Sequence, residues 1–310
     1  PSTLWQGIRA GLRGEAMAEA KIAGFIVEYE SSSAKAAKRW EVSSWSRMAY
    51  LLFSQTDISY LESTDEMLDS KVVFDYRRKI INEYLDKSRY PAIVSPDCGA
   101  IVFPSGSDGS AGTEIDIDLV HRRRSIRRYS KEKVQLDCLF RILRTATENI
   151  RIAEVSKQQG DPLFLLNSFF CWVKLYVVIQ GVEGILPGTY WYDSIEEKLV
   201  RLQIEYDNLK LIDCIQSQNW VGEAGFCVFI SAQWDRYQWL YRHSRAYVNL
   251  LVQLGEIGQE FLNAAYSEGL GGWLTSAVHE TKSAHMLGLD ENAEDVLYFI
   301  KFGVPYDELR

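Results

Sequence analysis

The 310-residue chain carries a net charge of −8, and 47% of its residues are apolar while 25% are charged. This length and balance suit one large globular domain or two smaller ones, with enough apolar side chains for a hydrophobic core. The acidic charge argues against a nucleic acid as the main partner, because the phosphate backbone attracts basic surfaces.

The first third of the chain precedes a run of small residues. Within this region, residues 25–29 predict a strand, and apolar residues at helical spacing over 45–52 predict a helix. The run at 106–112, Gly-Ser-Asp-Gly-Ser-Ala-Gly, has no large apolar side chain with which to pack, so it predicts a loop. These features divide the chain into an N-terminal accessory region at 1–105, a linker at 106–117 and a domain at 118–310.

The rest of the chain mixes helices and strands. Apolar side chains at i, i+3, i+4 and i+7 predict a helix over 136–148, and a longer apolar stripe predicts a second helix over 245–267. Apolar and β-branched runs predict strands at 173–180, 189–193, 198–203, 225–232, 274–278 and 296–302. Because these elements do not follow a strict strand–helix alternation, the predicted fold class is α+β.

The cysteines are scattered along the chain, at Cys98, Cys138, Cys171, Cys214 and Cys227. Their odd number and the lack of a Cys-x-x-Cys pair predict reduced thiols rather than a disulfide framework or a zinc site. No apolar run approaches the roughly 18 residues of a membrane span, and the N-terminus lacks the long apolar core of a signal peptide. We therefore expect a cytoplasmic protein that is not associated with a membrane.

The most basic part of the chain is the stretch Arg123–Tyr129, Arg-Arg-Ser-Ile-Arg-Arg-Tyr, here termed the arginine segment. In an extended segment alternate side chains point to one side, so Arg123, Ser125 and Arg127 would project together. Two guanidinium groups and a hydroxyl suit a phosphate dianion, because arginine offers fixed charge and paired donors. On the pattern alone, an exposed basic surface ahead of a helix is the more common explanation.

Two further stretches carry glycine where one element gives way to another. Residues 182–193 contain Leu-Pro-Gly ahead of an aromatic run, which predicts a turn followed by a strand. Residues 269–272 are Gly-Leu-Gly-Gly and connect the long helix to the next strand. Glycines there let another group approach the backbone closely, although the order helix–glycine–strand is not a dinucleotide fingerprint. Ordinary tight connections explain each stretch equally well when it is considered alone.

Together and in this order, these three stretches and the first half of the long helix resemble the nitroreductase superfamily. They are most similar to its peptide-tailoring branch, the azoline dehydrogenases of the streptolysin and cyanobactin type. The matching stretches are Arg123–Tyr129, Val182–Tyr192, Arg245–Gly255 and Gly269–Gly271. The resemblance, over about residues 118–305, implies a nitroreductase-like fold with a central mixed or antiparallel sheet flanked by helices. It also implies a homodimer with flavin mononucleotide (FMN) at each subunit interface.

The resemblance also implies roles for individual residues. The flavin phosphate and ribityl chain would be held by Arg123, Ser125 and Arg127. The positions where a Pro-Ser-Gly-Gly stretch normally lines the flavin are occupied by Asn167 and Ser168. The backbone that would face the flavin ring near its reactive nitrogen is that of Thr275, Ser276 and Ala277. A donor there stabilises the charge that develops on reduction.

The chain departs from the branch at two places. Leu-Leu-Asn-Ser at 165–168 replaces the Pro-Ser-Gly-Gly stretch and is bulkier where the backbone normally approaches the flavin. In several azoline dehydrogenases, a Lys-Tyr pair precedes the long helix and acts as the base. Here Tyr241-Arg242 occupies those positions. The candidate catalytic residues are therefore Tyr241, Arg242 and Tyr247. Arg242 would make Tyr241 a better base only if both side chains turn inward, and surface positions at a helix end explain the pair more simply.

Three hypotheses for the function follow. The first is an FMN-dependent oxidoreductase that oxidises thiazoline or oxazoline rings to thiazoles or oxazoles in a peptide or carrier-bound intermediate, beside a partner synthase or cyclodehydratase. The second is a flavin-dependent reductase of a dehydroamino acid or another activated alkene. The third is a flavin-free, inactive subunit of a peptide-modifying complex, which the loss of the Pro-Ser-Gly-Gly stretch favours.

Overall fold

The computed structural model describes residues 70–87, 92, 99–102, 121, 123–159, 172–204, 206–216, 218–241, 245–290 and 293–306. The chain divides into two compact units, one made of residues 1–64 and 243–249 and the other of residues 65–242 and 250–310. The strand predicted at 25–29, the helix at 45–52 and the linker at 106–117 lie outside the described residues. The boundaries proposed between the accessory region, the linker and the domain stay predictions.

The described residues form one sheet of seven strands. The strands are β1 (Ala100–Val102), β2 (Val173–Ile179), β3 (Gly188–Asp193), β4 (Lys198–Arg201), β5 (Phe226–Gln233), β6 (Gly271–Thr275) and β7 (Glu294–Gly303). Their order across the sheet is β1-β4-β3-β2-β5-β7-β6, and every pair of neighbours is antiparallel. β6 is therefore the last strand at one edge of the sheet.

Seven α-helices and one 3-10 helix accompany the sheet in the part of the chain that the structure describes. The α-helices are α1 (Ser70–Lys87), α2 (Leu136–Ala146), α3 (Glu148–Gln159), α4 (Asn208–Cys214), α5 (Trp234–Leu240), α6 (Arg245–Ser267) and α7 (Glu280–Leu287), and the 3-10 helix is Asn219–Gly222. The Asp207 side chain caps α4 by accepting from the Leu209 amide over 2.8 Å. Such a cap satisfies an amide that has no partner within the helix.

The sheet lies between two layers of helices. On one face, Phe229 and Phe299 are buried together with Leu211 of α4 and Met286 of α7. On the other face, the ring of Phe261 on α6 packs 6.4 Å from that of Phe302 on β7, measured between centroids. The apolar runs of β2 and β5 follow from this arrangement, because strands covered on both faces need apolar side chains on both.

The α+β class predicted from the sequence is confirmed, while most of the predicted strands differ from the observed ones by one or two residues at an end. The helix predicted over 136–148 ends at Ala146, because the backbone of Thr147 leaves the helical conformation (φ −111°, ψ 10°), and α3 then starts at Glu148. The strand predicted at 274–278 occupies Gly271–Thr275 instead. Its two glycines read as a loop in the sequence, yet they pair with Gly303 and Phe302 of β7.

A buried ion pair joins α5 to α3. The Arg236 guanidinium, fully buried, donates to the carboxylate of Glu154, whose side chain is 4% exposed. Arg236 also donates to the Gln233 side chain over 3.3 Å. Lys157, one turn from Glu154 on α3, approaches the same carboxylate to 3.4 Å. Because a buried charge is costly without a partner, this pair fixes α5 against α3.

Candidate functional site

The arginine segment starts at the edge of β6 and then crosses to the end of β7. Ser125 forms a parallel bridge with Gly272, and the Ile126 amide donates to the Gly272 carbonyl oxygen over 3.0 Å. Further along, the Ser130 amide donates to the Val304 carbonyl oxygen over 2.8 Å. These backbone hydrogen bonds hold the segment to the sheet at both of its ends. A segment that is exposed in part is thereby given a fixed path.

The glycines that begin β6 leave room for neighbours on both faces of the strand, with Gly271 facing the arginine segment and Gly272 facing α6. A Cβ at Gly271 would lie 2.8 Å from Cδ1 of Ile126, the buried side chain of the segment. A Cβ at Gly272 would lie 2.6 Å from Cδ2 of Leu262 and 2.9 Å from the Phe302 ring. Side-chain atoms are essentially never found so close together, so glycine is required at both positions.

The side chains predicted to hold a phosphate are distributed around this edge. Ser125 is exposed, and the Arg127 guanidinium lies over the Trp273 ring, 5.7 Å from its centroid. Arg123 interacts with the hydroxyl of Tyr266 on α6. Trp273 points away from α6, because side chains alternate along β6 and the preceding glycine faces α6. Arg123 and Arg127 therefore contact residues on opposite faces of one strand, with Ser125 between them.

Tyr129 anchors the end of the arginine segment. Its hydroxyl, which is buried, donates to the carbonyl oxygens of Ile126 over 2.8 Å and Lys301 over 3.2 Å. Burial raises the pKa of Tyr129 well above its usual range, and the nearby Arg127 acts against that shift. The hydroxyl therefore stays protonated at physiological pH and keeps its role as a donor.

Gly303→Ala is expected to lower the free energy of unfolding by about 1–3 kcal/mol, the usual cost of overpacking. The new Cβ would lie 2.6 Å from Cγ of Tyr129, whose ring the two hydrogen bonds hold in place. Urea unfolding measures the change. Gly99→Ala is the control, because no atom lies within 4 Å of its Cβ position, and it should change stability by less than about 0.5 kcal/mol. Equal stability of both variants would contradict the tight packing.

The backbone predicted to face the flavin ring forms a turn at the end of β6. The Ala277 amide donates to Thr275 Oγ1 over 2.9 Å, and the Val278 amide donates to the Ser276 carbonyl oxygen over 2.9 Å. Thr275 lies three residue steps beyond Gly272, which corresponds to about 10 Å along β6. The structure thus places the arginine segment and this turn near the two ends of β6.

Lys301 on β7 lies under the arginine segment and is fully buried. Its ammonium group donates to the Arg127 carbonyl oxygen over 3.0 Å, to the Glu223 carbonyl oxygen over 3.4 Å and to the Trp220 carbonyl oxygen. Burial lowers the pKa of Lys301 to about 8. Nothing in the sequence pattern singles this residue out except that a lysine interrupts an apolar strand.

The candidate catalytic residues lie elsewhere or outside the described residues. Tyr241 follows α5, its ring 4.9 Å from that of Tyr237, and α5 begins where β5 ends. That end of β5 is about 23 Å along the strand from Phe226, which pairs with Phe302 beside the arginine segment. Tyr247 is exposed near the start of α6. Arg242, Asn167 and Ser168 lie outside the described residues.

Two kinds of feature are not found in the part of the chain that the structure describes. No group of three or more His, Cys, Asp or Glu side chains could hold a metal ion. No described helix is both long and apolar enough to cross a membrane.

Comparison with known proteins gives a family and its fold. The model of the nitroreductase family matches residues 120–304, more than half of the chain. The trifolitoxin operon protein TfxC of Rhizobium leguminosarum bv. trifolii is 22% identical over 291 residues, which are 90% of this chain and 78% of that protein.

Two solved structures share the fold. A candidate nitroreductase from Anabaena variabilis superposes with a TM-score of 0.54 at 21% identity, over 73% of this chain and 47% of that one. This chain thus spans less than half of the Anabaena protein. A candidate nitroreductase from Ralstonia eutropha superposes with a TM-score of 0.52 at 17% identity, over 71% of this chain and 98% of that one.

Proposed function

Because the chain belongs to the nitroreductase family, we propose that it is an FMN-dependent oxidoreductase that tailors a peptide or carrier-bound natural-product intermediate. Its reaction is the oxidation of thiazoline or oxazoline rings to thiazoles or oxazoles. The observation that carries the proposal is the arginine segment, which a backbone hydrogen bond holds to the start of β6, with the Thr275–Ala277 turn at the other end of that strand.

The residues at this edge suit an extended ligand with an anionic end. In the proposal, Arg123 and Arg127 reach the phosphate from the two faces of β6, and the exposed Ser125 hydroxyl donates between them. Charge-assisted hydrogen bonds from guanidinium groups are about twice as strong as neutral ones. The spacing of about 10 Å along β6 leaves room for the ribityl chain between the phosphate and the ring.

At the other end of the edge, the donor to the flavin ring would come from Ser276. The Ala277 amide already donates to Thr275 Oγ1, so the turn directs that amide inward. Ser276 is exposed, and its amide and hydroxyl are the donors proposed for the ring. A fixed donor beside the position where charge develops stabilises the reduced state.

FMN, when bound, supplies the two-electron acceptor that oxidation of an azoline requires. The second hydrogen leaves the azoline ring as a proton, which a base of the protein must accept. Tyr241, with Arg242 and Tyr247 as the other candidates, is the proposed acceptor. Because α5 begins at the far end of β5, we assign this role to residues supplied by a second subunit.

A homodimer is proposed on the strength of the long helix. Leu251 and Val252 on α6 are 46% and 68% exposed. Neighbouring apolar side chains on an exposed helix face are typical of a surface that another chain covers. In a two-fold symmetric dimer, each subunit contributes the same face, so two sites form together.

The biosynthetic setting rests on two supports. The motif resemblance is to azoline dehydrogenases that act on peptides. The matched relative that spans 90% of the chain is a protein of the trifolitoxin operon, which favours a role beside partner enzymes in making a natural product. We therefore propose a synthase or cyclodehydratase as the partner that supplies the azoline substrate.

Reduction of a dehydroamino acid or another activated alkene is the second candidate reaction. It is favoured by one observation, the replacement of the Lys-Tyr pair by Tyr241-Arg242. Reduction adds two hydrogens to the substrate and requires a proton donor in place of a strong base. Tyrosine serves as a donor more readily than as a base at neutral pH, because its ordinary pKa is roughly 10.

The purified protein is expected to bind FMN and to remove two hydrogens from an azoline peptide. Absorbance of the protein fraction in the flavin bands reports binding, and mass spectrometry reports the change in the peptide. A gain of two hydrogens by a dehydroalanine peptide, with reduced flavin, would support the reductase instead. A colourless protein that stays colourless after addition of FMN would leave only the flavin-free subunit.

A further inference from the structure

The ammonium group of Lys301 closes a ring of contacts that includes Arg127. Lys301 donates to the Arg127 carbonyl oxygen over 3.0 Å and to the Trp220 carbonyl oxygen. The Trp220 ring packs edge-on against the Trp273 ring, with 5.9 Å between centroids. The Arg127 guanidinium lies over Trp273. These four residues, here termed the Lys301 anchor, restrain both the backbone and the side chain of Arg127.

We propose that Lys301 is a positioning residue of the anion site, which fixes the Arg127 backbone and, through the two tryptophans, directs its guanidinium. This inference rests on the proposed function, since the anion is the phosphate of FMN. Three carbonyl oxygens, those of Arg127, Trp220 and Glu223, receive the three N–H donors of the ammonium group. A charge fully removed from water persists only with such partners.

A second consequence concerns charge. Lys301 adds a buried positive charge behind the arginine segment, in surroundings where electrostatic interactions are stronger than in water. Its pKa, lowered by burial to about 8, means that the charge is lost as the pH rises through that value. A neutral amine has only two N–H donors, so loss of the proton also removes one of the three hydrogen bonds to carbonyl oxygens.

Two ionisable groups around Lys301 have pKa values that burial raises far above that of the lysine. Cys227 on β5 is its neighbour across the sheet, and burial raises the pKa of that thiol to about 12. The Tyr129 ring lies 4.8 Å from the ammonium group, and burial raises the pKa of its hydroxyl well above the usual range. The remaining neighbours are Glu223 and Arg127, a carboxylate and a guanidinium.

The affinity for FMN is therefore expected to fall as the pH rises from about 7 to about 9.5. The loss of one hydrogen bond and of the charge corresponds to a decrease of about three- to tenfold. Quenching of FMN fluorescence on titration with the protein measures the dissociation constant. The phosphate group of FMN itself loses its second proton near pH 6, below this range.

Loss of folding stability would not explain a decrease in FMN affinity above pH 8. Because the pKa of Lys301 is lower in the folded chain than the ordinary value of 10.5, the unfolded chain binds more protons between about pH 8 and pH 10.5. The contribution of Lys301 to the free energy of unfolding thus rises with pH over that range. Weaker FMN binding above pH 8 would accompany a gain in stability rather than a loss.

Lys301→Met is expected to bind FMN about ten- to thirtyfold more weakly than the unmodified protein at pH 7, without the further decrease above pH 8. Lys174→Met is the matched control. Lys174 on β2 is also largely buried and lies 3.7 Å from Glu294, but it does not belong to the anchor. This variant is expected to lose stability while it keeps both the affinity and its pH dependence.

The outcomes separate this inference from the proposed function. If the unmodified protein binds FMN with an affinity that stays constant through pH 8, and Lys301→Met matches it, the positioning role is overturned while the flavin site stands. If the unmodified protein binds no FMN at any pH, both are overturned. Should Lys301→Met fail to fold, the pH profile of the unmodified protein decides alone.

Discussion

Arg236→Met is expected to lower the free energy of unfolding by about 3 kcal/mol, the lower end of the range for breaking a buried ion pair. The substitution leaves the Glu154 carboxylate, 4% exposed, without its fully buried partner. Lys157 still approaches that carboxylate to 3.4 Å, which limits the loss. Urea unfolding followed by circular dichroism measures the change. Tyr241 follows α5, so the same variant tests how firmly this candidate catalytic residue is supported.

A second variant and a control distinguish a buried charge from lost packing. Adding Glu154→Leu removes the unpartnered carboxylate, so the double variant should be more stable than Arg236→Met alone. Arg141→Met breaks an exposed pair with Glu268, in which two hydrogen bonds measure 2.7 and 2.8 Å. That change should cost less than about 1 kcal/mol. Equal losses for Arg141→Met and Arg236→Met would show that burial of the ion pair is not what matters.

The sequence predicts the elements whose apolar pattern matches their surroundings. The apolar run of β5 reflects burial along its whole length, and the stripe of α6 gives both of its ends correctly. α3 was not predicted, because its polar composition hides the few buried side chains on one face. A sequence pattern predicts an element when its apolar positions are the buried ones. In α3, two of the buried positions are the polar residues Glu154 and Ser156.

β6 shows how tertiary contacts override local composition. Glycine disfavours strands, so Gly271 and Gly272 were read as a loop and the strand was placed three residues late. The reason for both glycines is outside the strand, in Ile126 and Leu262, which occupy the space that side chains would need. No pattern within residues 269–277 contains that information.

The candidate site was predicted only in the part that is contiguous in sequence. The arginine segment is visible as a motif, whereas its supports come from distant parts of the chain. Lys301 contacts the carbonyl oxygen of Arg127 from 174 residues away and that of Trp220 from 81 residues away. The Trp273 ring under Arg127 belongs to an edge strand that had been placed differently. A positioning residue defined by such contacts becomes visible only once the sheet is assembled.

Arg127→Ala is expected to weaken FMN binding about ten- to a hundredfold, which corresponds to roughly 1.5–3 kcal/mol for one hydrogen bond to a charged group. The guanidinium of Arg127 lies over the Trp273 ring, whereas its carbonyl oxygen accepts a hydrogen bond from Lys301. Removing the side chain therefore deletes the proposed contact with the phosphate and leaves the path of the backbone intact. Flavin fluorescence titration at fixed ionic strength measures the change.

Arg128→Ala is the matched control, since it removes the same charge from the adjacent exposed position. If the arginine segment attracts FMN only as a diffuse basic surface, both variants should weaken binding equally, and added salt should abolish the difference from the unmodified protein. If Arg127 contacts the phosphate directly, its loss should exceed that of Arg128 at every salt concentration. Unchanged flavin occupancy in Arg127→Ala would remove the arginine segment from the site altogether, and the strand edge beside Thr275 would then need another explanation.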